Sequence, residues 1–341
     1  MSVTIREVAL RAGVSTATVS RVFNNAEPVD ERTRQRVRTA AKELNYVPNA
    51  LGRSLSLRKT DAIGLLLPDL FGEFFSEVIR GCDQTAQQNH FHLIVSSSHS
   101  NRQEIETALR VMRGRVDGLV IMSPHIDSRA LNENLPRTLP VVLLNCHVES
   151  DGFDSLTIDN YGGAHDMTRH LLSHGHRRVA IIAGTEGNFD AAERLRGYCA
   201  AMRESGAEID QDLVAQASFS EATGYDAVRR LLALASPPSA IFASNDAMAI
   251  GALSALRDAG IQIPEQVALA GFDDIPVCKY LTPTLTSVTV NIEELGERAM
   301  ETVLHAVRNK NAHRKQVILL PVTLTPRESC GCTLPHQITE K

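Results

Sequence analysis

VSTATVSRVFNN, residues 14–25, is too short and too polar to be a core helix. Read at helical period, it buries Val14, Val19 and Val22 and turns Ser15, Thr16, Ala17, Ser20 and Arg21 outward. The preceding IREVALRAG puts Ile5, Val8 and Ala9 on one face of a first helix. That helix ends at Gly13, the residue a tight turn with positive φ requires. Ser15 then stands as the N-cap of the second helix. The small Ala9 lets two helices cross closely, Gly13 turns the chain, and Val19 and Val22 lock the second helix onto the first. This is the spacing of a helix-turn-helix. The outward residues can then enter a DNA major groove. Thr16, Ala17 and Arg21 are the expected base readers. Arginine can donate twice to guanine O6 and N7, and the Ala and Thr methyls can touch a thymine methyl. Thr4, Ser15, Thr18, Ser20, Asn24 and Thr33 are expected at the DNA backbone or as helix caps.

Charge agrees with this placement. Residues 1–60 carry 11 Lys and Arg against 5 Asp and Glu, a net of +6, while the remainder carries 24 against 35, a net of −11. A basic head on an acidic body suits a polyanion partner. DERTRQRVRTAAKELNY predicts a third helix, capped by Asp30, with Val37, Ala40, Ala41 and Leu44 as its apolar stripe. Pro48 ends it. Asn49 can cap a short helix over residues 50–57 that carries exposed Leu51 and Leu55. So short a helix is unstable alone in water. It fits a linker that folds on DNA and pushes a leucine into the minor groove.

From residue 62, short apolar strands alternate with amphipathic helices, from AIGLLLPDL to VALAGFDD. This predicts parallel sheets covered on both faces, in two doubly wound lobes with a break at TIDNYGG, residues 157–163. Ligands of such lobes sit at the carboxyl ends of the strands. Polar residues gather there: Asn145, Asn245-Asp246 and Asp273-Asp274.

TIREVALRAGVSTATVSRVFN, DERTRQRVRTAAKELNYVPNALGRSL and the body together resemble the LacI/GalR family of bacterial transcription regulators, from residue 4 to about 331. The resemblance implies an all-α helix-turn-helix head (1–48), a hinge (49–60) and an α/β, periplasmic-binding-protein-like body (61–341) that binds an effector and dimerises. It places lobe 1 at about 61–160 and 291–320, and lobe 2 at about 161–290 and 321–331. It makes Leu55 the minor-groove wedge at the centre of a palindromic operator. Gly52 stands where many members have Ala, which loosens the hinge helix by up to roughly 1 kcal/mol. Motif by motif, it assigns Phe74, Phe75, Asn145, Asn188, Asp190, Arg194, Phe219, Asn245 and Asp273 to the effector. Val290 replaces a polar residue common in the family, removing one hydrogen-bond partner. Carboxylates, amides and an arginine between aromatic faces suit a sugar or sugar phosphate, with a nucleoside or purine next. Asn245 and Asp246 have a second reading as caps of the helix that follows, Asp246 the more so.

The function expected is therefore a ligand-responsive repressor that binds double-stranded DNA as a homodimer, in the cytoplasm, without cofactor or metal. The rival class is a sugar- or nucleotide-processing α/β enzyme with an appended DNA-binding head. No G-x-S-x-G elbow, Walker motif or dinucleotide fingerprint supports it. No apolar run approaches the roughly 20 residues of a membrane span, and no signal peptide is read at the N-terminus. The tail CGCTLPHQITEK has no leucine heptads, so a tetramerising coiled coil is not expected. The six cysteines read as reduced thiols, and Cys330 and Cys332 are assigned no role. His165, His170, His174 and His176 read as surface histidines at a helix end, although His170 and His174 have i, i+4 spacing.

Overall fold

The computed structural model describes residues 3–24, 29–46, 59–99, 101–124, 126–146, 148, 152–309 and 312–332. The chain divides into two compact units, Met1–Thr60 and Asp61–Lys341.

The head holds α1 (Ile5–Ala12), α2 (Thr16–Asn24) and α3 (Glu31–Glu43). Its core is small: Val8, Ala9, Ala12, Val19, Val22, Val37, Ala40 and Ala41, with Ile5, Val14, Phe23, Leu44 and Tyr46 packed around it. Gly13 adopts φ 62°, ψ 42°, the left-handed region that ends α1 and starts the turn. Val14 N–H bonds back to the Ala9 carbonyl at 3.0 Å, closing that turn. The Ser15 hydroxyl accepts from Thr18 N–H at 3.1 Å and so caps α2. The Asp30 carboxylate accepts from Thr33 N–H at 3.1 Å and caps α3. Arg11 pairs with Glu43 at 2.8 Å, tying α1 to the end of α3.

The body contains two six-stranded sheets. The first has β1 (Ala62–Leu67), β2 (His92–Ser97), β3 (Gly118–Ile121), β4 (Val141–Leu144), β5 (Asp154–Ile158) and β11 (Val317–Leu320), in the order β11-β5-β4-β3-β1-β2, all parallel. The second has β6 (Val179–Ala183), β7 (Val214–Gln216), β8 (Ala240–Ala243), β9 (Ala268–Asp273), β10 (Thr286–Thr289) and β12 (Thr323–Thr325), in the order β12-β10-β9-β8-β6-β7. Only β12 is antiparallel there. The chain passes between the sheets at residues 158–160, 289–292 and 320–323.

Strand burial follows sheet position. Residues 62–67 of β1 and 118–121 of β3 are buried throughout, because helices cover both faces. On β1, Ile63, Leu65 and Leu67 join Val78 and Cys82 of α4 (Glu73–Gln88) and Met300 and Val303 of α11 (Ile292–Arg308). Ala62 and Leu66 face the other way, toward Ile105 and Leu109 of α5 (Arg102–Met112) and Leu131 of α6 (Ser128–Asn134). The outer strand β11 alternates instead, leaving Val317 and Leu319 exposed. In the second lobe, α7 (Asn160–Ser173) packs on α8 (Phe189–Glu204), and α9 (Glu221–Leu232) packs on α10 (Asp246–Asp258). The latter pair meets at glycines: a Cβ on Gly251 would overlap the Glu221 carbonyl.

Candidate functional site

On the head, Thr16, Ala17 and Arg21 lie exposed along α2, with Ala17 and Arg21 one turn apart. Two of the residues expected at the DNA backbone, Thr4 and Ser15, double as caps. Thr4 donates from its N–H (2.6 Å) and hydroxyl (2.9 Å) to the Glu7 carboxylate. Those hydrogen bonds hold the Glu7 pKa below the ordinary range. The Ser15 and Thr18 hydroxyls share a 2.9 Å bond, and the Thr33 hydroxyl donates to Asp30 at 3.4 Å. Ser20 is half-buried, and Asn24 is the last residue of α2. Asn49, Leu51 and Leu55 lie outside the described residues.

In the body, polar side chains converge where the strands of the second sheet end. Asp273 is the last residue of β9, and Ser244 follows β8. Between them Arg194 of α8 is buried, its guanidinium 3.7 Å above the Phe272 ring. Its Nε donates to Asn160 Oδ1 at 2.7 Å, Nη1 donates to the Ser244 carbonyl, and Nη2 lies 3.3 Å from Asp273 Oδ1. Asn160 completes the bridge by donating to Asp190 Oδ1 at 2.8 Å. One arginine therefore faces two carboxylates, so the cluster carries no surplus positive charge. Burial raises the Asp190 and Asp273 pKa values, and Arg194 opposes the rise in both. Asp246, buried behind them, is also raised, by burial first and then by the charge of Asp273.

Asp273 Oδ1 makes only the 3.3 Å ion pair with Arg194, and two buried hydroxyls at strand ends make no hydrogen bond within the chain: Ser244 Oγ and Ser123 Oγ. The last lies just past β3 of the first sheet, at its carboxyl end. A buried polar atom left unbonded costs about 1–3 kcal/mol, so such atoms gathered at strand ends mark where a hydroxylated ligand can be held.

Phe74 and Phe75 open α4 edge to face, centroids 5.5 Å apart, and both are half-buried. Beside them, Glu73 accepts from the Val277 N–H of the other lobe at 3.2 Å. The Phe219 ring lies on Gly184 at the end of β6, its own backbone held at φ 60°. A left-handed backbone is a strained state for a bulky residue.

Other expected ligand residues have structural partners. Asn188 caps α8 through Ala191 N–H at 3.0 Å. Asn145 accepts from Ile158 N–H at 3.3 Å, latching β4 to β5. The expectation that Asp246 caps α10 is corrected: Asn245 does so, accepting from Met248 N–H at 2.9 Å and donating to the Phe219 carbonyl at 3.1 Å. Asp246 instead turns into the sheet and accepts from the Ser287 hydroxyl at 2.7 Å and Ile275 N–H at 2.9 Å. Sequence reasoning missed Asn160, Ser244 and Phe272. The first two sit inside TIDNYGG and next to Asn245-Asp246, stretches noted for other reasons; Phe272 reads simply as core.

The histidines do not act as one surface group. His165 pairs with Glu204 at 2.8 Å, and His176 meets the Ser239 hydroxyl at 3.0 Å. His170 and His174 lie against Cys330 and Cys332, a contact between distant segments that the sequence does not signal.

Two family models match the chain: bacterial regulatory proteins of the lacI family over residues 4–49, and a periplasmic-binding-protein-like domain over residues 168–330. The ribose operon repressor of Escherichia coli K12 is 36% identical over 325 residues, covering 94% of this chain and 98% of that protein. A transcriptional regulator CelR–cellobiose complex is 32% identical with a TM-score of 0.73, over 96% of this chain and 99% of the other. The lac repressor dimer bound to operator and the anti-inducer ONPF is 26% identical with a TM-score of 0.82, over 97% and 99%. No helix among the described residues is long and apolar enough to cross a membrane. A helix-turn-helix head, a two-sheet body and similarity along nearly the whole chain place this protein in the lacI family of bacterial regulatory proteins, as a DNA-binding transcriptional regulator and not an enzyme.

Proposed function

We propose that this protein is a sugar-responsive repressor that acts in the cytoplasm and binds a palindromic operator as a homodimer. Residues 1–48 read DNA through Thr16, Ala17 and Arg21, residues 49–60 form the hinge with Leu55 as wedge, and residues 61–341 sense the effector and pair the subunits. A twofold dimer sets two heads against two half-sites. The operator-bound lac repressor and the ribose operon repressor support this reading.

The observation that carries the effector class is the Arg194 cluster. Buried Ser244 Oγ has no hydrogen-bond partner within the chain, and Asp273 Oδ1 has only Arg194 at 3.3 Å, so each can bond a hydroxyl. Arg194 already faces Asp273 and Asp190, so a neutral sugar fits better than a phosphate dianion. Phe74 and Phe75 offer apolar faces to the sugar ring from the other lobe. A ligand that bonds both lobes favours the closed cleft and shifts lobe 1 against its copy in the dimer, which changes hinge order and operator affinity.

A thermal-shift panel of sugars, sugar phosphates and nucleosides tests the class. A saturating sugar, at a hundredfold excess over Kd, stabilises by about 2.7 kcal/mol. Asp273→Ala should abolish that shift and the effector's influence on operator binding, with operator affinity itself retained. A retained response removes Asp273 from the site.

A further inference from the structure

The carboxyl end of α7 and the segment after β12 meet in a cluster that effector sensing and DNA binding leave unexplained. His170 Nε2 lies 3.3 Å from Cys330 Sγ and 3.5 Å from Cys332 Sγ. His174 Nε2 lies 3.4 Å from Cys332 Sγ. The donor atoms of His170, Cys330 and Cys332 all fall within 4.8 Å of one another. A tetrahedral zinc ion, with bonds of about 2.3 Å to sulfur and 2.0–2.1 Å to nitrogen, sets neighbouring nitrogen and sulfur donors about 3.5 Å apart. The observed spacings agree with that before any ion is added.

Each half of the cluster is held in place. His170, in the last turn of α7, and His174, its C-cap, are one turn apart, with ring centroids 4.7 Å apart. The other half is anchored from Arg327 onward. Arg327 pairs with Asp274 at 2.6 Å, and the Ser329 hydroxyl donates to the Leu269 carbonyl at 2.6 Å and accepts from Thr286 N–H at 2.8 Å. Cys330 is thereby buried. Gly331, at φ 81°, reverses the chain so that Cys332 returns to the same histidines.

We propose that His170, His174, Cys330 and Cys332 form a Cys2His2 zinc site that fastens the segment after β12 to α7. Two thiolates and two neutral imidazoles balance a divalent ion, so the half-buried site carries no net charge. Borderline-soft zinc suits thiolate and imidazole donors over calcium or magnesium, which take oxygen. Binding releases the two thiol protons to solvent. Zinc would rigidify the second lobe at the end of α7 opposite Asn160.

The test uses the full-length chain with no histidine tag, reduced, stripped of metal and then titrated with cobalt and zinc. Wild type should take up one cobalt ion per chain, with the intense visible bands of tetrahedral thiolate coordination. Zinc should displace it and raise the melting temperature. Cys332→Ser and His174→Ala alter the more exposed ligands, so the fold is kept, and circular dichroism and operator binding verify that. Each should weaken zinc by about 100-fold or more, since losing even an outer-shell partner of a ligand costs about 10–100-fold. Cys330→Ser/Cys332→Ser should bind no tetrahedral cobalt, and zinc should leave its melting temperature unchanged. Equal zinc affinity in wild type and the double variant overturns the proposal. So does wild type whose only response is a Cys330–Cys332 disulfide on oxidation.

Discussion

Arg194→Met probes the cluster at the ends of β8 and β9. Methionine keeps an unbranched stem over the Phe272 ring and removes the charge. Asn160 Oδ1 and the Ser244 carbonyl lose their donor, and Asp273 loses its 3.3 Å ion-pair partner. The paired side chains are only 5% and 7% exposed, so water does not screen the loss. Breaking a buried ion pair from one side costs about 3–5 kcal/mol. Each stranded neutral acceptor has a penalty of about 1–3 kcal/mol, but the effects belong to one network and do not simply add. We expect a loss of about 4 kcal/mol at neutral pH, at the centre of the ion-pair range. The loss should shrink in acid. Burial raises Asp190 and Asp273, and Arg194 opposes it. Without Arg194 both folded-state pKa values climb further above the unfolded ones. A raised carboxyl pKa contributes stability that is present in acid and lost as pH rises through the folded value. Each proton involved changes stability by about 1.4 kcal/mol per pH unit. The gap between variant and wild type should therefore narrow as pH falls from neutral toward about 4. Urea denaturation of the intact protein at several pH values, followed by circular dichroism, measures it. A penalty below about 1 kcal/mol, or one constant across pH, refutes the view that Arg194 neutralises buried carboxylates.

Gly13→Ala should cost the head about 1–2 kcal/mol, because a Cβ there meets nothing within 4 Å and the penalty is the left-handed backbone alone. Hydrogen exchange of α1 and α2 amides in the intact chain reads it, and an unchanged protection would refute the strain. Gly251→Ala should cost at least about 1–3 kcal/mol by overpacking, since the obstructing atom is the Glu221 backbone carbonyl, which cannot rotate away; an unchanged melting temperature would show that α9 and α10 slide apart freely. Leu55→Ala should weaken operator binding more than binding to scrambled DNA of the same length. Equal losses on both DNAs would remove Leu55 from the minor groove.

Much of the head was legible because its determinants are local. A turn glycine, two caps and valines at helical spacing leave a short segment one way to bury its apolar face. Strand and helix alternation in the body was legible for the same reason, since a doubly covered parallel strand reads as an unbroken apolar run. The buried polar cluster around Arg194 was legible only in part. Asp273, Arg194 and Asp190 do come together, but Asn160, Ser244 and Phe272 give no signal in a chain where they read as a loop residue, a strand end and a core ring.

Adjacent residues were the hardest to tell apart. Asn245 and Asp246 are both good caps by chemistry, and position in sequence does not separate them. The choice fell to β10, whose Ser287 offers Asp246 a buried hydroxyl and leaves the helix end to Asn245. Cys330 and Cys332 are the extreme case. Alone, a CxC is two thiols. Folding brings it against histidines 158 to 162 residues away. The sequence alone determined the helix-turn-helix, the α/β alternation and the charge that separates head from body, because each is written in neighbours within a turn or a strand. Only the tertiary structure decided which polar side chains share a site, because strand order sets which distant segments meet, and no local pattern encodes that order.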